Sequence, residues 1–201
     1  MAELINTIDV LGDDAVIDSI INRTITEFKD NVLTNVGQYA FYDCTALETV
    51  DLPNATKIET YAFSGCSALK SIDMPSVTAI GNYAFQKCTA LTEVYLPLLS
   101  DRIIYTFPEC TNLAKADLPC VTSIGAETFS KCNALTAVIL RVDKVCTLAH
   151  TNAFRYTPIE DGTGYIYVPS ALVDSYKAVS NWSTFAAKFR AIEDYPDICG
   201  G

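Results

Sequence analysis

IGNYAFQKCTALTEVYLP, from Ile80 to Pro97, is one unit of a pattern that returns every 22 residues. Phe41, Phe63, Phe85, Phe107 and Phe129 keep this step, as do Cys44, Cys66, Cys88, Cys110 and Cys132. Leu47, Leu69, Leu91, Leu113 and Leu135 form a third series, and Pro53, Pro75, Pro97 and Pro119 a fourth. Ala40, Ala62 and Ala84 extend the pattern, with Thr106 and Thr128 closing it. A period of this length marks stacked repeats. One unit cannot bury its own apolar face, so the core is shared along the stack.

Within the unit, Leu91-x-x-Val94-x-Leu96 has the spacing of a leucine-rich repeat. Val94 and Leu96 alternate with Glu93 and Tyr95, the period of a half-buried strand ended by Pro97. The Tyr-Ala-Phe-x-x-Cys segment predicts a helical or 3₁₀ turn on the opposite side. The expected fold is an α/β repeat solenoid: a right-handed leucine-rich-repeat coil with a parallel sheet on its concave face and helical caps at both ends.

Three segments follow. Residues 1–35 read as an N-terminal cap: Asp13 or Asp14 starts a helix with an apolar stripe at Val16, Ile17, Ile20 and Ile21. Ile25 and Phe28, 22 residues before Leu47 and Val50, read as a degenerate first strand. Residues 36–145 carry five units. Residues 146–201 hold an irregular last repeat and a C-terminal cap. That cap comprises a strand at Tyr165–Val168, a helix capped by Ser170 with Leu172, Val173, Tyr176 and Val179 on one face, and a second helix with Trp182, Phe185, Ala186, Phe189 and Ile192. The chain beyond Tyr195 reads as frayed.

The fourth unit departs from the pattern. Arg102 stands where Ile58 and Ile80 stand, Ile103 replaces Gly81, and Pro108 and Glu109 enter the turn. Either Ile103 or Ile104 takes over the core position, or the surface there is reshaped for a ligand.

The 201 residues carry 14 basic and 24 acidic side chains, a net charge of −10. This opposes phosphate binding and argues against a nucleic-acid partner. Mean hydropathy is slightly positive. The apolar residues are spread over the repeats, however, and no run approaches the roughly 18 residues of a spanning helix, so membrane insertion is not expected. The start, MAELINTIDVLGDD, lacks the basic and apolar regions of a secretory signal peptide.

Five of the eight cysteines share one repeat register and read as a ladder of buried free thiols acting as small apolar groups. Parallel side chains on neighbouring rungs keep their Cβ atoms too far apart for relaxed disulfide geometry. Zinc is the alternative, and no C-x-x-C pair supports it. The pairing of Cys120, Cys146 and Cys199 stays open.

Catalytic candidates are few. His150 is the only histidine. Cys146 and His150 would meet at i, i+4 if that stretch were helical, but no orienting third group accompanies them. Gly81 and Gly125 read as coil corners with positive φ, not as a phosphate cradle. No enzyme, cofactor or metal site is expected.

The informative positions are the outward ones on the strands: Thr49 and Asp51, Ser71 and Asp73, Glu93 and Tyr95, Lys115 and Asp117, Ala137 and Ile139. Asp51, Asp73, Glu93, Tyr95, Lys115 and Asp117 form an acidic strip with one aromatic, ending in an apolar patch at Ile139. The same residues also fit an ordinary solvated face. Like charges on adjacent strands cost stability, and a basic ligand would relieve them. Tyr39, Tyr61, Tyr83 and Tyr105 form a ladder on the other side.

The unit Ile80-Gly81, Tyr83-Ala84-Phe85, Cys88, Ala90-Leu91, Val94 and Leu96-Pro97 resembles the BspA-type leucine-rich repeats, also called the Treponema pallidum type. The ending Tyr167-Val168-Pro169 with Tyr176-Lys177 and Trp182 is similar to the segment that follows such repeats in proteins of gut Firmicutes and their phages. The resemblance implies a non-enzymatic interaction module binding a protein or glycan on the concave sheet, with adhesion as its use. It also fits a structural spacer of a phage or cell-surface assembly. The implied location is the cell surface or a virion. The expectation without the resemblance is cytoplasmic.

Overall fold

The computed structural model describes residues 20–200; the N-terminal helix predicted from Val16 and Ile17 lies mostly outside the described residues. The 22-residue period becomes a strand-to-strand step: Glu27 pairs with Thr49, Thr49 with Ser71, Glu93 with Lys115, and Lys115 with Ala137, all in parallel. Glu27–Lys29, Thr49–Asp51 and Ser71–Asp73 make one sheet of three strands. Glu93–Tyr95, Lys115–Asp117, Ala137–Ile139, Tyr165–Val168 and Phe189–Ala191 make a second sheet of five. One residue of each strand points inward: Phe28, Val50, Val94, Ala116, Val138, Ile166 and Phe189 are buried, while Ile72 is only half-buried.

A second row of strands turns the corner of each coil. Asn35–Val36, Lys57–Ile58 and Ala79–Ile80 pair in parallel, as do Ser123–Ile124 and Thr147–Leu148. In the fourth unit Ile103 bridges to Ile124 and is fully buried, while Arg102 is exposed. The chain slips by one residue so that an aliphatic side chain, not a guanidinium, enters the core. Burying an unpaired charge would cost far more than the irregularity.

The third side consists of the Tyr-Ala-Phe-x-x-Cys segments. They are successive i→i+3 turns rather than a continuous helix: Ala62 N donates to Glu59 O, Ser64 N to Tyr61 O, and Cys66 N to Phe63 O. Two residues per turn lie in the left-handed region, such as Tyr61 at φ 58° with Gly65 at 82°, and Tyr83 at 59° with Lys87 at 59°. Gly81 and Gly125, expected to have positive φ, do not. Their role is close approach: a Cβ on Gly81 would stand 2.4 Å from the Thr60 nitrogen, and one on Gly125 2.6 Å from Ile104 Cγ1.

Stacking fills the core. Phe41, Phe63, Phe85, Phe107, Phe129 and Phe154 lie face to face with ring centroids 5.0–5.8 Å apart. Beside them the thiols of Cys66, Cys88, Cys110 and Cys132 donate to the carbonyls of Phe41, Phe63, Phe85 and Phe107 at 3.0–3.2 Å. The cysteines thus pack as small apolar groups and also join the rungs. Thr128 replaces the repeated alanine without leaving its hydroxyl unpaired, because Gly125 O and Ile103 O accept from it.

The C-terminal part departs from the expected two helices. Val173–Ala178 is helical. Ser170 does not cap it; its amide and hydroxyl instead donate to the Glu193 carboxylate. Trp182–Lys188 is a 3₁₀ stretch kinked at Phe185. Phe189–Ala191 is then a strand that pairs with Tyr165–Val168 and covers the open edge of the sheet. Residues 196–200 are not frayed. Pro196–Cys199 forms a helical turn that leaves Cys199 2% exposed.

Candidate functional site

The outward side chains of the first row of strands stand in columns because successive rungs keep register. Asp51 and Asp73 are direct neighbours, as are Glu93 and Lys115, and Tyr95 and Asp117. Their partners differ. Lys29, one rung before Asp51, donates to its carboxylate. That bond raises the lysine's pKa above its ordinary value. Asp117, 6% exposed, is held by two bonds from Arg141, at 3.2 Å from Nε and 2.7 Å from the terminal nitrogen. This hydrogen-bonded carboxylate raises the Arg141 pKa. Among the described residues, no ion pair reaches Asp73 or Glu93.

Arg141 also donates to the Cys199 carbonyl, which pins the turn Pro196–Cys199 across the sheet. Ala137, Ile139, Tyr167 and Cys199 pack together beneath it, so the expected apolar patch at Ile139 is buried inside the protein. Between this turn and the open sheet lies a cleft of about 450 Å³. It is lined by Glu93, Tyr95, Lys115, Asp117 and Arg141, with Cys199 and Gly200 of the turn. Four of the six predicted site residues therefore meet in one cleft. Asp51 and Asp73 belong to the other sheet.

Tyr95 is 59% exposed, with its ring open to solvent beside two carboxylates and an ammonium group. An exposed aromatic among charges is suited to anchoring a polypeptide segment. Two contributors escaped the sequence reading. Lys29 occupies the Asp51 column one period earlier and was findable by that step. Arg141 stands 24 residues after Asp117, outside the 22-residue register, and no sequence signal marks it.

The remaining candidates take structural positions. Thr147–Leu148 is a strand, so Cys146 and His150 do not share a helical face. The backbone of Cys146 accepts from Trp182 Nε1 at 2.5 Å and donates to the Tyr176 hydroxyl at 2.8 Å. His150 caps the 3₁₀ turn Thr151–Phe154, its Nδ1 accepting from Asn152 N at 3.1 Å. Among the described residues, no group of three or more His, Cys, Asp and Glu is placed to hold a metal ion. No described helix is long and apolar enough to cross a membrane.

The family model for the BspA type Leucine rich repeat region matches residues 17–136 in six copies, more than half of the 201 residues. No curated protein matches the chain. Among solved structures, the chain is similar to a leucine rich cell surface protein from Faecalibacterium prausnitzii A2-165. Identity is 30% and the TM-score 0.64, over 78% of this chain and 41% of that one. It is also similar to a leucine-rich repeat protein from Bacteroides ovatus ATCC 8483, with 26% identity and a TM-score of 0.52, over 75% of this chain and 45% of that one. The pneumococcal vaccine antigen PcpA shares the fold at 15% identity and a TM-score of 0.57, over 83% and 40% of the two chains. The chain covers less than half the length of each of these three structures.

Proposed function

Because the chain belongs to the BspA-type leucine-rich repeat family, we propose that it is a non-enzymatic interaction module holding a protein partner on its concave sheet, in the service of adhesion. The observation that carries this reading is the cleft itself. Glu93, Tyr95, Lys115 and Asp117, which lie on adjacent strands, converge there, and the C-terminal turn walls it on one side. Arg141 neutralises Asp117, and Lys29 neutralises Asp51. The charges left to meet a partner are those of Asp73, Glu93 and Lys115, two acidic against one basic, with Tyr95 as the anchor. A partner presenting Lys or Arg beside an apolar side chain complements this surface, and the net charge of −10 favours its approach.

The test is the double substitution Asp73→Lys and Glu93→Lys, assayed against arrayed epithelial and bacterial surface proteins. Both side chains are exposed, so the melting temperature should stay within about 2 °C of the native value. Affinity for any protein the native chain binds should fall by roughly tenfold or more, about 1.4 kcal/mol. Undiminished binding by the doubly reversed chain would sink the concave-face reading.

A further inference from the structure

Two series of main-chain hydrogen bonds join the rungs of the first row of strands. Entering the strands, Glu48 N donates to Thr26 O, Lys70 N to Glu48 O, Ala114 N to Thr92 O, Thr136 N to Ala114 O and Tyr165 N to Thr136 O, at 2.7–3.0 Å. Leaving them, Asp30 N donates to Asp51 O, Leu52 N to Asp73 O, Leu96 N to Asp117 O, Leu118 N to Ile139 O and Leu140 N to Tyr167 O, at 2.8–3.2 Å. Each series lacks one member, at the same level. No bond joins Thr92 N to Lys70 O or Met74 N to Tyr95 O, and no ladder joins Ser71–Asp73 to Glu93–Tyr95.

The second row breaks at that level too. Glu59 N donates to Val36 O, Gly81 N to Ile58 O, Gly125 N to Ile103 O and Ala149 N to Ile124 O, but Ile103 N does not donate to Ile80 O. The hydroxyls repeat the break. Thr56, Thr78 and Thr122 donate to the carbonyls of Thr34, Thr56 and Ser100, while no such bond links Ser100 to Thr78. The core packs on across this level, but hydrogen bonds join it on the turn side alone. Tyr83 N donates to Tyr105 O at 2.8 Å, Phe85 N to Thr106 O at 3.0 Å and Lys87 N to Pro108 O at 3.0 Å. Tyr83 stacks on Tyr105 at 5.0 Å and Phe85 on Phe107 at 5.4 Å.

We propose that the rod is hinged at this level. Two stacks, residues 20–90 and 91–200, are joined through the Tyr83–Tyr105 and Phe85–Phe107 column and open and close along the two faces that no ladder crosses. The cause lies in the fourth unit. Moving Ile103 into the place of Arg102 shifts the second row by one residue, so Ile80 loses its partner. The half-burial of Ile72, against full burial of Val50 and Val94, marks the loosened core beside the gap. Hinges form where few residues absorb a displacement between rigid bodies, and a solenoid transmits order only through neighbouring rungs. Asp73 stands on one stack and Glu93 with Tyr95 on the other, so hinge motion sets the span of the concave surface. That consequence rests on the proposed binding site; the hinge does not.

Amide hydrogen exchange on the full chain reads the hinge without a partner. Met74 and Thr92 amides should exchange about 100-fold or more faster than those of Leu52, Leu96, Lys70 and Ala114, their counterparts on bonded rungs. Equal protection at all six would overturn the hinge. A second chain carrying Arg102→Ile and Ile103→Gly restores the Ile80-Gly81 pattern. Its Met74 and Thr92 amides should slow by about tenfold or more as bonding returns. A folded double variant with unchanged exchange at both sites would overturn the one-residue slip as the cause.

Discussion

Replacing Phe85 with Ala should lower the unfolding free energy by about 3–5 kcal/mol. Phe85 is fully buried and stacks on Phe63 at 5.3 Å and on Phe107 at 5.4 Å, with interplanar angles of 7° and 11°. The gap left by the ring has little means of closing. Its neighbours are fixed along the rod by Phe63 N donating to Ala84 O and Phe85 N to Thr106 O, and an uncollapsed cavity adds to the transfer cost. Against a typical total of about 5–15 kcal/mol, this is a large share of the stability. Phe85→Leu keeps most of the volume and should cost less than half as much. Urea unfolding followed by circular dichroism measures both. A loss below about 1 kcal/mol for Phe85→Ala would mean that the ring ladder is not the main internal support.

Thiol labelling should separate the cysteines by orders of magnitude. Cys44, Cys66, Cys88, Cys110 and Cys132 are at most 1% exposed, whereas Cys120 is half-buried. The reacting species is the thiolate. Burial pushes the Cys44 thiol up to about 11. It raises the Cys66, Cys88 and Cys132 thiols in the same way. Reaction at the ladder therefore waits for opening of the rod, a state populated at about one part in a thousand or less. At pH 8, iodoacetamide should modify Cys120 first and the ladder about a thousandfold more slowly, with all five reacting readily in urea. Peptide mapping of time points reads this directly. Labelling of Cys88 as fast as Cys120 in native protein would contradict the buried ladder.

The repeat was legible because one physical need, filling the same slot on every rung, forces the same residue type at each step. Phe, Cys and Leu could be read as interior from their spacing alone, and the ring stack and thiol row follow from it. The backbone was less legible. Left-handed residues usually announce themselves as glycine, since other residues pay about 1–2 kcal/mol for that conformation. Here Tyr61, Tyr83, Lys87 and Lys131 adopt it, and rung-to-rung hydrogen bonds with Tyr stacking offset the cost. Gly65 keeps the usual association at φ 82°, whereas Gly81 and Gly125 answer instead to crowding from the neighbouring coil.

The C-terminal segment hid itself for a different reason. Trp182, Phe185 and Phe189 have the spacing of a helix stripe, yet the exposed edge of Tyr165–Val168 takes up Phe189–Ala191 as a strand. Tertiary pairing outweighed local periodicity. The candidate site was legible where it follows the strand columns: Glu93, Tyr95, Lys115 and Asp117 come together as their registers require. The wall that makes the sheet surface a cleft was not legible. It depends on Arg141 reaching the Cys199 carbonyl across 58 residues of sequence.

Site-specific photocrosslinking would locate a partner on the strand face or off it. A benzoylphenylalanine replaces Tyr95 in one chain and Lys87, exposed on the opposite turn side, in another. Both chains are irradiated with the same bound surface protein. A partner held on the strands should give a covalent adduct from position 95 and none from position 87. An adduct from position 87 alone would place the partner on the turns and contradict the strand-face proposal.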